Sequence, residues 1–458
     1  MVTRSKIEES VLEQIRPTQQ ERDHIWGIAK KLQQAVADSG RAQAMVVGSI
    51  ARHTWVRGDR DLDVFLLFDP SLSREALETE GLGLARSIAS AFTKTYGEKY
   101  AEHPYISAII DDVEVDLVPC YAVESAGLIQ SAVDRTPFHT RYITEKITGL
   151  IDDVLLLKRF TKSGGIYGSD QMTEGFSGYL CELLVLHYGG FIPLLNAAAE
   201  WKPQMVINHE NHDTKHFTEP LVMVDPVDPN RNVAAAVSLD QMVAFVELAR
   251  GYTEEPSMHF FELSEDMSIT REELSRLLAE RGTSLFSITF PTPPYIQEVI
   301  VPQLKRSVSA IVEHLERNGF VVHHAHYVMQ PEHCLFLFEL LVADLPKIRT
   351  HAGPPLWNRL NAEKFREKHI VSSLPGPFIK NGRYEMEVLR EFTHARDMLA
   401  SESLLQVSLG KHVRQSLLNG WQVAEGAGCW NAEFEPFIAA FFWRGSPLIR
   451  VRRKILDL

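Results

Sequence analysis

The stretch GSIARHTWVRGDRDLDVF, residues 48–65, and the later stretch VEVDLVPCY, residues 113–121, decide how this chain is interpreted. The first places a Gly-Ser pair before an alternating segment that carries Asp61 and Asp63, and the second is an alternating segment that carries Asp116. Because side chains alternate between the two faces of a strand, Asp61 and Asp63 are predicted to share one face. Three carboxylates on neighbouring strands are what a site needs to hold two divalent ions about 4 Å apart and to activate a hydroxyl towards a triphosphate.

The residues just before the strand that carries Asp61 and Asp63 favour the same chemistry. Gly48-Ser49 is predicted to be a turn whose backbone N–H groups and hydroxyl cradle phosphate oxygens, and Arg52 offers a planar cation to a triphosphate. Magnesium prefers a few carboxylates together with substrate phosphates, so two Mg²⁺ ions are the expected cofactors. Taken alone, the aspartates could also belong to an exposed strand with solvated carboxylates.

Composition excludes several classes of protein. The chain has 458 residues, enough for about three domains, and its hydrophobic content of 45% is ordinary for a globular protein. No apolar run approaches the ~20 residues of a membrane span, and the polar start MVTRSKIEESVLEQ does not resemble a signal peptide, so a cytoplasmic location is expected. The four widely spaced cysteines support neither a zinc site nor a disulfide framework.

Charge is distributed unevenly along the chain. The net charge of −13 argues against binding nucleic acid by bulk charge. Residues 351–458, however, contain 15 basic and 11 acidic residues, a net charge of +4, whereas residues 1–350 carry −17. The basic C-terminal part is therefore expected to make local contacts with phosphates.

Periodicity and turn signals divide the chain into three predicted domains: 1–145 with a mixed sheet packed on one side by helices, 146–262 mainly helical, and 263–458 with α and β segments. The predicted helices are 18–39, 73–98, 152–165, 175–190, 241–252 and 296–317. The predicted strands are 42–50, 61–68, 105–110, 113–121, 284–290, 320–329 and 334–342. The order β-α-β-β from Ser284 is typical of a ferredoxin-like unit, and the fold class is a multidomain α+β protein.

The Gly-Ser pair, about a dozen intervening residues and Asp-x-Asp on a strand resemble the signature of the DNA polymerase β-like nucleotidyltransferase superfamily. More narrowly, the chain resembles the archaeal class I CCA-adding enzymes, which are tRNA nucleotidyltransferases. The resemblance is carried by GSIARHTWVRGDRDLDVFLLF (48–68), VDRTPFHTRY (133–142), DDVLLLKRFTKSGGIYGSD (152–170), GFSGYLCELL (175–184) and DPVDPNRNVAAAVS (225–238). GPPLWNRLNAEKFREKH (353–369) extends it more loosely into the last third.

The resemblance implies roles for individual residues. Asp61, Asp63 and Asp116 match the catalytic metal-binding acids, although that family commonly has Glu at the first position, so that Asp61 shortens one ligand arm. The implied phosphate contacts are Ser49, Arg52, Lys158 and Tyr167, and the implied contacts near the ribose are Thr136 and His139. Arg231 matches an arginine associated with the incoming base and the RNA end. Candidate RNA-backbone contacts are Lys305, Arg306, Lys364, Arg366 and Lys368.

Each of these residues also has an ordinary structural interpretation. Lys158 and Lys162 are one helical turn apart and could form a solvated face. His139 could be a half-buried structural histidine, and Arg231, in a loop rich in proline and asparagine, could be a surface arginine.

The resemblance implies an enzyme that adds C, C and A to the 3′ end of tRNA from CTP and ATP without a nucleic-acid template, and that acts as a homodimer. Two alternatives remain at this point: a related enzyme that makes poly(A) or modifies a small molecule, and a catalytically inactive RNA-binding protein with the same fold.

Overall fold

The computed structural model describes residues 4–100, 104–263 and 267–456. The chain folds as two compact units, the first made of Met1–Glu265 with Gly445–Leu458 and the second of Asp266–Arg444. The chain therefore leaves the first unit after Glu265 and returns to it at Gly445.

The N-terminal half of the first unit is a five-stranded mixed sheet with helices. Its helices are α1 (Lys6–Ile15), α2 (Gln19–Ser39), α3 (Gly48–Arg52) and α4 (Arg74–Phe92), and its strands are β1 (Gln43–Val47), β2 (Asp61–Phe68), β3 (Tyr96–Tyr100), β4 (Pro104–Ile110) and β5 (Val113–Tyr121). The strand order is β1-β2-β5-β4-β3. Strands β2 and β5 pair in parallel, and the other neighbours pair antiparallel.

The two faces of this sheet have different tasks. On one face, Leu62, Val64 and Leu66 of β2 are buried against apolar side chains of α2 and α4, such as Leu32 and Leu84. On the other face the alternation of the strand presents Asp61, Asp63 and then the buried Phe65. The helices thus cover one side, as the sequence predicted, and leave the carboxylate side to the rest of the unit.

Two local predictions were wrong. The predicted helix 73–98 ends at Phe92, where Thr93 turns extended, and Tyr96–Tyr100 is an edge strand paired with β4. All five of these strand residues are exposed, so no apolar alternation signalled the strand. The predicted strand 42–50 ends at Val47, and the expected turn at Gly48-Ser49 is the first part of a short helix.

The C-terminal half of the first unit is mainly helical, as predicted. It contains α5 (Thr136–Lys146), α6 (Ile151–Gly164), α7 (Gly178–Tyr188), α8 (Phe191–Ala198), α9 (Leu239–Glu254), the short parallel strands β6 (Met205–Ile207) and β7 (Leu221–Met223), and the final helix Pro447–Ile455. Its core is aromatic: the ring of Phe160 lies within 5.9 Å of the rings of Phe191, Tyr252 and Phe260. Within the described residues no single helix could span a membrane; α7 and α8 pass such a test only together, as a pair bent by 92°.

The second unit contains two sheets. Its helices are α10 (Arg271–Arg281), α11 (Gln297–Arg317), α12 (Arg359–His369), α13 (Ala395–Leu399), α14 (Lys411–Leu418) and α15 (Glu435–Phe442), and its strands are β8 (Ser284–Pro291), β9 (Val321–Met329), β10 (His333–Val342), β11 (Ile348–Pro355), β12 (Phe378–Lys380), β13 (Arg383–Leu389) and β14 (Gln422–Glu425). In the order β14-β8-β10-β9, strand β10 lies antiparallel between β8 and β9, which α11 connects. This split β-α-β arrangement is the predicted ferredoxin-like pattern.

A smaller sheet in the second unit was not predicted. It has the order β11-β13-β12, and α12 packs on it through Phe365, whose ring lies 6.1 Å from that of Tyr384. The basic residues of the resembling segment 353–369 therefore lie on or next to one short helix.

Two glycines of α4 test how closely this helix lies on the sheet. A Cβ at Gly81 would come 2.5 Å from Cβ of Pro119 on β5, whereas one at the exposed Gly83 would meet nothing within 4 Å. We expect Gly81→Ala to lower the free energy of unfolding, because helix and strand must separate. Gly83→Ala should raise it by about 0.5–1 kcal/mol through helix propensity. Urea unfolding of both variants checks this, and equal effects would contradict the close approach.

Candidate active site

The parallel pairing of β2 and β5 brings two carboxylates side by side. In its register Asp63 lies opposite Asp116, and Asp61 lies opposite Glu114. Asp61, Asp63 and Asp116 are therefore assembled on one face of two adjacent strands, as the alternation in the sequence predicted. Glu114 is drawn away from them, because its carboxylate pairs with Lys99 at 2.5 Å and accepts a hydrogen bond from Ser107.

Gly48 makes room for this acidic face. Its φ of +72° is a left-handed conformation that favours glycine, and a Cβ there would overlap Oδ2 of Asp63. The glycine of the Gly-Ser pair is therefore required on two grounds, its backbone conformation and the carboxylate beside it. The pairing of Val47 with Asp63 across β1 and β2 fixes this close approach.

The acidic face has unsatisfied negative charge. Burial, together with the charges of Asp116 and Asp61, raises the pKa of Asp63 to about 7 in spite of the nearby Arg52. Burial also raises the pKa of Asp116, whose Oδ1 is buried without a hydrogen-bond partner in the described parts of the chain. Such a group is costly to bury unless a ligand satisfies it.

The carboxylates fit a divalent ion that is shared with a substrate. No group of three or more His, Cys, Asp or Glu side chains in residues 4–100, 104–263 and 267–456 is arranged to enclose a metal by itself. An open set of acids is what Mg²⁺ takes when phosphates and water complete its coordination. The orphaned Oδ1 of Asp116 and the raised pKa of Asp63 are the features that a bound cation would relieve.

A buried ion network lies next to the acidic face. Glu182 of α7 is fully buried; Arg52 Nε lies 2.9 Å from its Oε2, and Lys158 Nζ lies 3.6 Å from its Oε1. Thr54 donates a short hydrogen bond to the same carboxylate. Burial raises the pKa of Glu182, but the two cations outweigh it and hold that pKa below its usual range. Two cations against one carboxylate leave an excess of one positive charge beside the acidic face.

Lys158 is a member of this network rather than of a solvated face. Its ammonium donates to the carbonyl oxygen of Thr54 at 2.8 Å and to Thr54 Oγ1 at 3.3 Å, and its side chain is 3% exposed. Burial lowers its pKa. Lys162, one turn later, behaves differently: it pairs with Asp59 at 2.7 Å and lies over the ring of Tyr167.

A cleft with a volume of about 1030 Å³ lies beside these groups. Of the predicted nucleotide contacts, it is lined by Gly48, Arg52, Thr136, His139 and Arg231. The lining residues do not include Ser49, Lys158, Tyr167 or the three aspartates of the acidic face, although Gly48 joins the cleft to Asp63. Five of the eight predicted nucleotide-binding residues therefore line one cavity.

One buried carboxylate connects two of these lining residues. Oδ2 of Asp225 lies 2.9 Å from Nε2 of His139 and 2.9 Å from a terminal nitrogen of Arg231. The ring of His139 stacks on Tyr179, with 4.2 Å between the ring centroids. His139 is thus buried and also lines the cleft. Its interpretation as a structural histidine and its interpretation as a nucleotide contact are therefore compatible.

Sequence reasoning missed several residues of the site. Glu182 and Asp225 were not singled out, nor was Arg135, which lines the cleft and pairs with Asp228 at 2.9 Å. The segment 215–219 also lines the cleft. A signal existed for Glu182, because an acid within the apolar helix GYLCELLVLHY requires a buried partner.

The candidate RNA contacts lie in the second unit. Lys305 and Arg306 are exposed on α11, and Lys364, Arg366 and Lys368 are exposed on α12. At 100° per residue Lys364 and Lys368 share a face, whereas Arg366, which is also exposed, points to the opposite side of the helix. The predicted three-residue cluster is therefore two lysines on one face and an arginine on the other.

Comparison with protein families first defines the class. Residues 26–139 match the nucleotidyltransferase domain, so the sheet with the three aspartates is a nucleotidyltransferase domain of the polymerase β-like kind. Residues 152–262 match the second domain of tRNA nucleotidyltransferase, and residues 281–426 match the C-terminal domain of the CCA-adding enzyme.

Relatives of known name then define the family. The chain is 64% identical to the CCA-adding enzyme of Methanoregula boonei over 99% of both chains. It is 39% identical to that of Methanosarcina barkeri over 92% of this chain and 93% of the other. The chain belongs to the CCA-adding enzymes. A solved structure of Cid1 poly(U) polymerase covers 57% of this chain and 98% of its own at 17% identity and a TM-score of 0.45, too distant to bear on function.

The buried ion network yields a stability prediction. Glu182→Ala leaves Arg52 and Lys158 buried without their counter-ion, so we expect the free energy of unfolding to fall by about 3–5 kcal/mol. Glu145→Ala, on the exposed side of α5, should change it by no more than about 0.5 kcal/mol. Denaturant titration measures both, and a Glu182→Ala variant as stable as the control would show that the network contributes nothing.

Proposed function

We propose that this chain is a template-independent nucleotidyltransferase that builds or repairs the 3′-terminal CCA of tRNA from CTP and ATP and releases pyrophosphate. One observation carries the proposal: Asp61, Asp63 and Asp116 lie together at Gly48, which opens onto a cleft lined by Arg52, His139 and Arg231. Membership of the CCA-adding enzymes supports the choice of tRNA, CTP and ATP as substrates.

The chain's own groups divide the work of the reaction. The 3′-hydroxyl of the tRNA attacks the α-phosphate, and the bond to pyrophosphate breaks. Arg52, held by Glu182, turns a buried positive charge towards the cleft that receives the triphosphate. Lys158 adds a second positive charge beside Arg52. It does not line the cleft, because Thr54 and Glu182 hold its ammonium. Arg231 and His139, on another side of the cleft, are assigned to the base and the ribose.

Asp61, Asp63 and Asp116 would hold two Mg²⁺ ions together with the triphosphate, and these ions would activate the hydroxyl and neutralise the leaving group. The orphaned oxygen of Asp116 and the raised pKa of Asp63 support this assignment. The shorter Asp61 is compatible with it, because its side chain is exposed at the start of β2 and water can complete the gap.

We assign the chemistry to residues 1–145, nucleotide binding to 146–262 and tRNA binding to 263–444. Residues 445–458, which the sequence analysis put in the third domain, fold with the first unit. The ranges matched by the three family models support this division. The resemblance also supports a homodimer, which sedimentation equilibrium would test.

The function is tested with a tRNA that ends before its CCA. Incubation with CTP and ATP followed by sequencing of the product should show C, C and A added in that order. A tail of adenosines would favour the poly(A)-type alternative, and an unchanged tRNA would favour an inactive RNA-binding protein.

The acids should be needed at every step. We expect Asp63→Asn and Asp116→Asn each to abolish incorporation of both CMP and AMP, because one set of acids serves all three additions. Glu114→Gln, on the same face of β5 but paired with Lys99, is the matched control and should retain most activity. Incorporation of labelled nucleotides checks this; near-normal CMP addition by either aspartate variant would remove that residue from the site.

The two exposed lysines on one face of α12, Lys364 and Lys368, yield a prediction about RNA binding. Lys364→Ala with Lys368→Ala should flatten the dependence of log affinity for tRNA on log salt by about 0.9 for each phosphate that the variant no longer neutralises. Arg366→Ala, on the opposite side of the helix from the two lysines, should change the slope less, and the KM for CTP should not change in either variant. A salt series of tRNA-binding titrations measures the slopes. Identical slopes for wild type and the double variant would move the RNA surface elsewhere.

A further inference from the structure

We propose that Asp225 is a positioning residue of the nucleotide cleft, and that its buried carboxylate holds His139 and Arg231 in the orientation that meets an incoming nucleoside triphosphate. The proposal rests on the proposed function only for the identity of the ligand. It assigns a task to a residue that neither touches the cleft itself nor belongs to the acidic face.

The carboxylate of Asp225 is fully buried and fully used. Its Oδ1 accepts from Tyr179 Oη at 3.3 Å and from the backbone N–H of Val227 at 3.0 Å. Its Oδ2 accepts from His139 Nε2 and from Arg231, each at 2.9 Å. Since a carboxylate has about four acceptor positions, the partners of Asp225 occupy all of them.

This arrangement determines which nitrogen of His139 carries hydrogen. Burial raises the pKa of Asp225, but the hydrogen bond and charge of His139, with the bonds from Val227 and Arg231, lower it to about 2. The carboxylate therefore only accepts, and Nε2 of His139 must donate. In the neutral ring, Nδ1 is then an acceptor, and among the described residues no hydrogen bond engages it.

Arg231 is anchored at one end only. Its side chain is 38% exposed and lines the cleft, and one terminal nitrogen is fixed on Asp225. The guanidinium has five N–H donors, so that the rest stay available to a ligand. Because Asp225 already restricts the rotamers of Arg231 in the free protein, little further side-chain entropy is lost when a nucleotide binds. The ion pair therefore favours nucleotide binding.

Glu339 is a natural matched control in the second unit. Its carboxylate is also fully buried, and it accepts from Arg281 at 2.7 and 3.0 Å and from Thr283 at 2.7 Å. None of these residues lines the nucleotide cleft. Glu339→Gln therefore measures how the loss of a buried, arginine-bound carboxylate affects stability and nucleotide affinity when that carboxylate does not adjoin the cleft.

The experiment measures the Kd of CTP and of ATP by calorimetry, so that it does not depend on tRNA or turnover. Asp225→Asn keeps one acceptor oxygen for four donors, and we expect it to raise both Kd values by about 10-fold or more. Glu339→Gln should leave both Kd values within about twofold of wild type while lowering thermal stability. Equal Kd values for wild type and Asp225→Asn would overturn the proposal.

A cycle of variants tests whether Asp225 acts through its partners. In a His139→Ala, Arg231→Ala background, Asp225→Asn should weaken nucleotide binding no further; a full additional loss would show a general structural role and overturn the proposal. If Asp225→Asn does not fold, Tyr179→Phe removes one donor only and should raise Kd by about 2–10-fold. An unchanged Kd in that variant would also overturn it.

The two proposals fail in different ways. If wild type binds CTP and ATP and Asp225→Asn does not, the positioning role holds even when no CCA is added to tRNA. If CCA is added normally by Asp225→Asn with wild-type KM for both nucleotides, the proposed function stands and the positioning role is lost.

Discussion

The parallel pairing of β2 with β5 is the constraint on which the site depends, because its register sets Asp63 opposite Asp116. The carboxylates of Asp63 and Asp116 are held side by side on one face of the sheet. The apolar side chains on the opposite face pack against helices and keep the strands in this register. A slip of one residue would turn the acids into that core and the leucines and valines outwards. The register that the hydrophobic face requires is therefore the register that gathers the acids, and burial together with the charge of Asp116 raises the pKa of Asp63 there.

Three acids of the first unit show three ways of treating a negative charge. Asp116 keeps one buried oxygen without a partner among the described residues, Glu182 is balanced by two cations, and Asp225 has its acceptor positions filled. The unpartnered oxygen of Asp116 is suited to binding a ligand, whereas Glu182 and Asp225 are suited to holding neighbouring side chains in place. Unsatisfied negative charge thus lies on the strands, and an excess positive charge lies next to it on α3 and α6.

The sequence predicted those features that depend on local pattern. Alternation placed Asp61 and Asp63 on one face, and the predicted strands 105–110 and 113–121 correspond to β4 and β5. The sequence did not predict the edge strand Tyr96–Tyr100, whose residues are all exposed. It also did not predict the role of Glu182, whose partner Arg52 lies 130 residues away along the chain. Lys158 was matched by resemblance to a phosphate contact, but only tertiary packing shows that Thr54 and Glu182 engage its ammonium. Long-range pairing decides what a charged side chain does, and no local pattern contains it.

The final helix, Pro447–Ile455, has a consequence for biosynthesis. Its Val451 belongs to the aromatic and aliphatic core of the first unit, Leu448 lies against Gly251, and Arg450 donates to the carbonyl oxygen of Gly164 at 3.0 Å. A ribosome makes this helix only after the whole second unit, so the first unit waits with that part of its core uncovered while the second emerges. The first unit is therefore begun first and completed last, and a chain that lacks this helix would keep Asp61, Asp63 and Asp116 but leave part of that core uncovered.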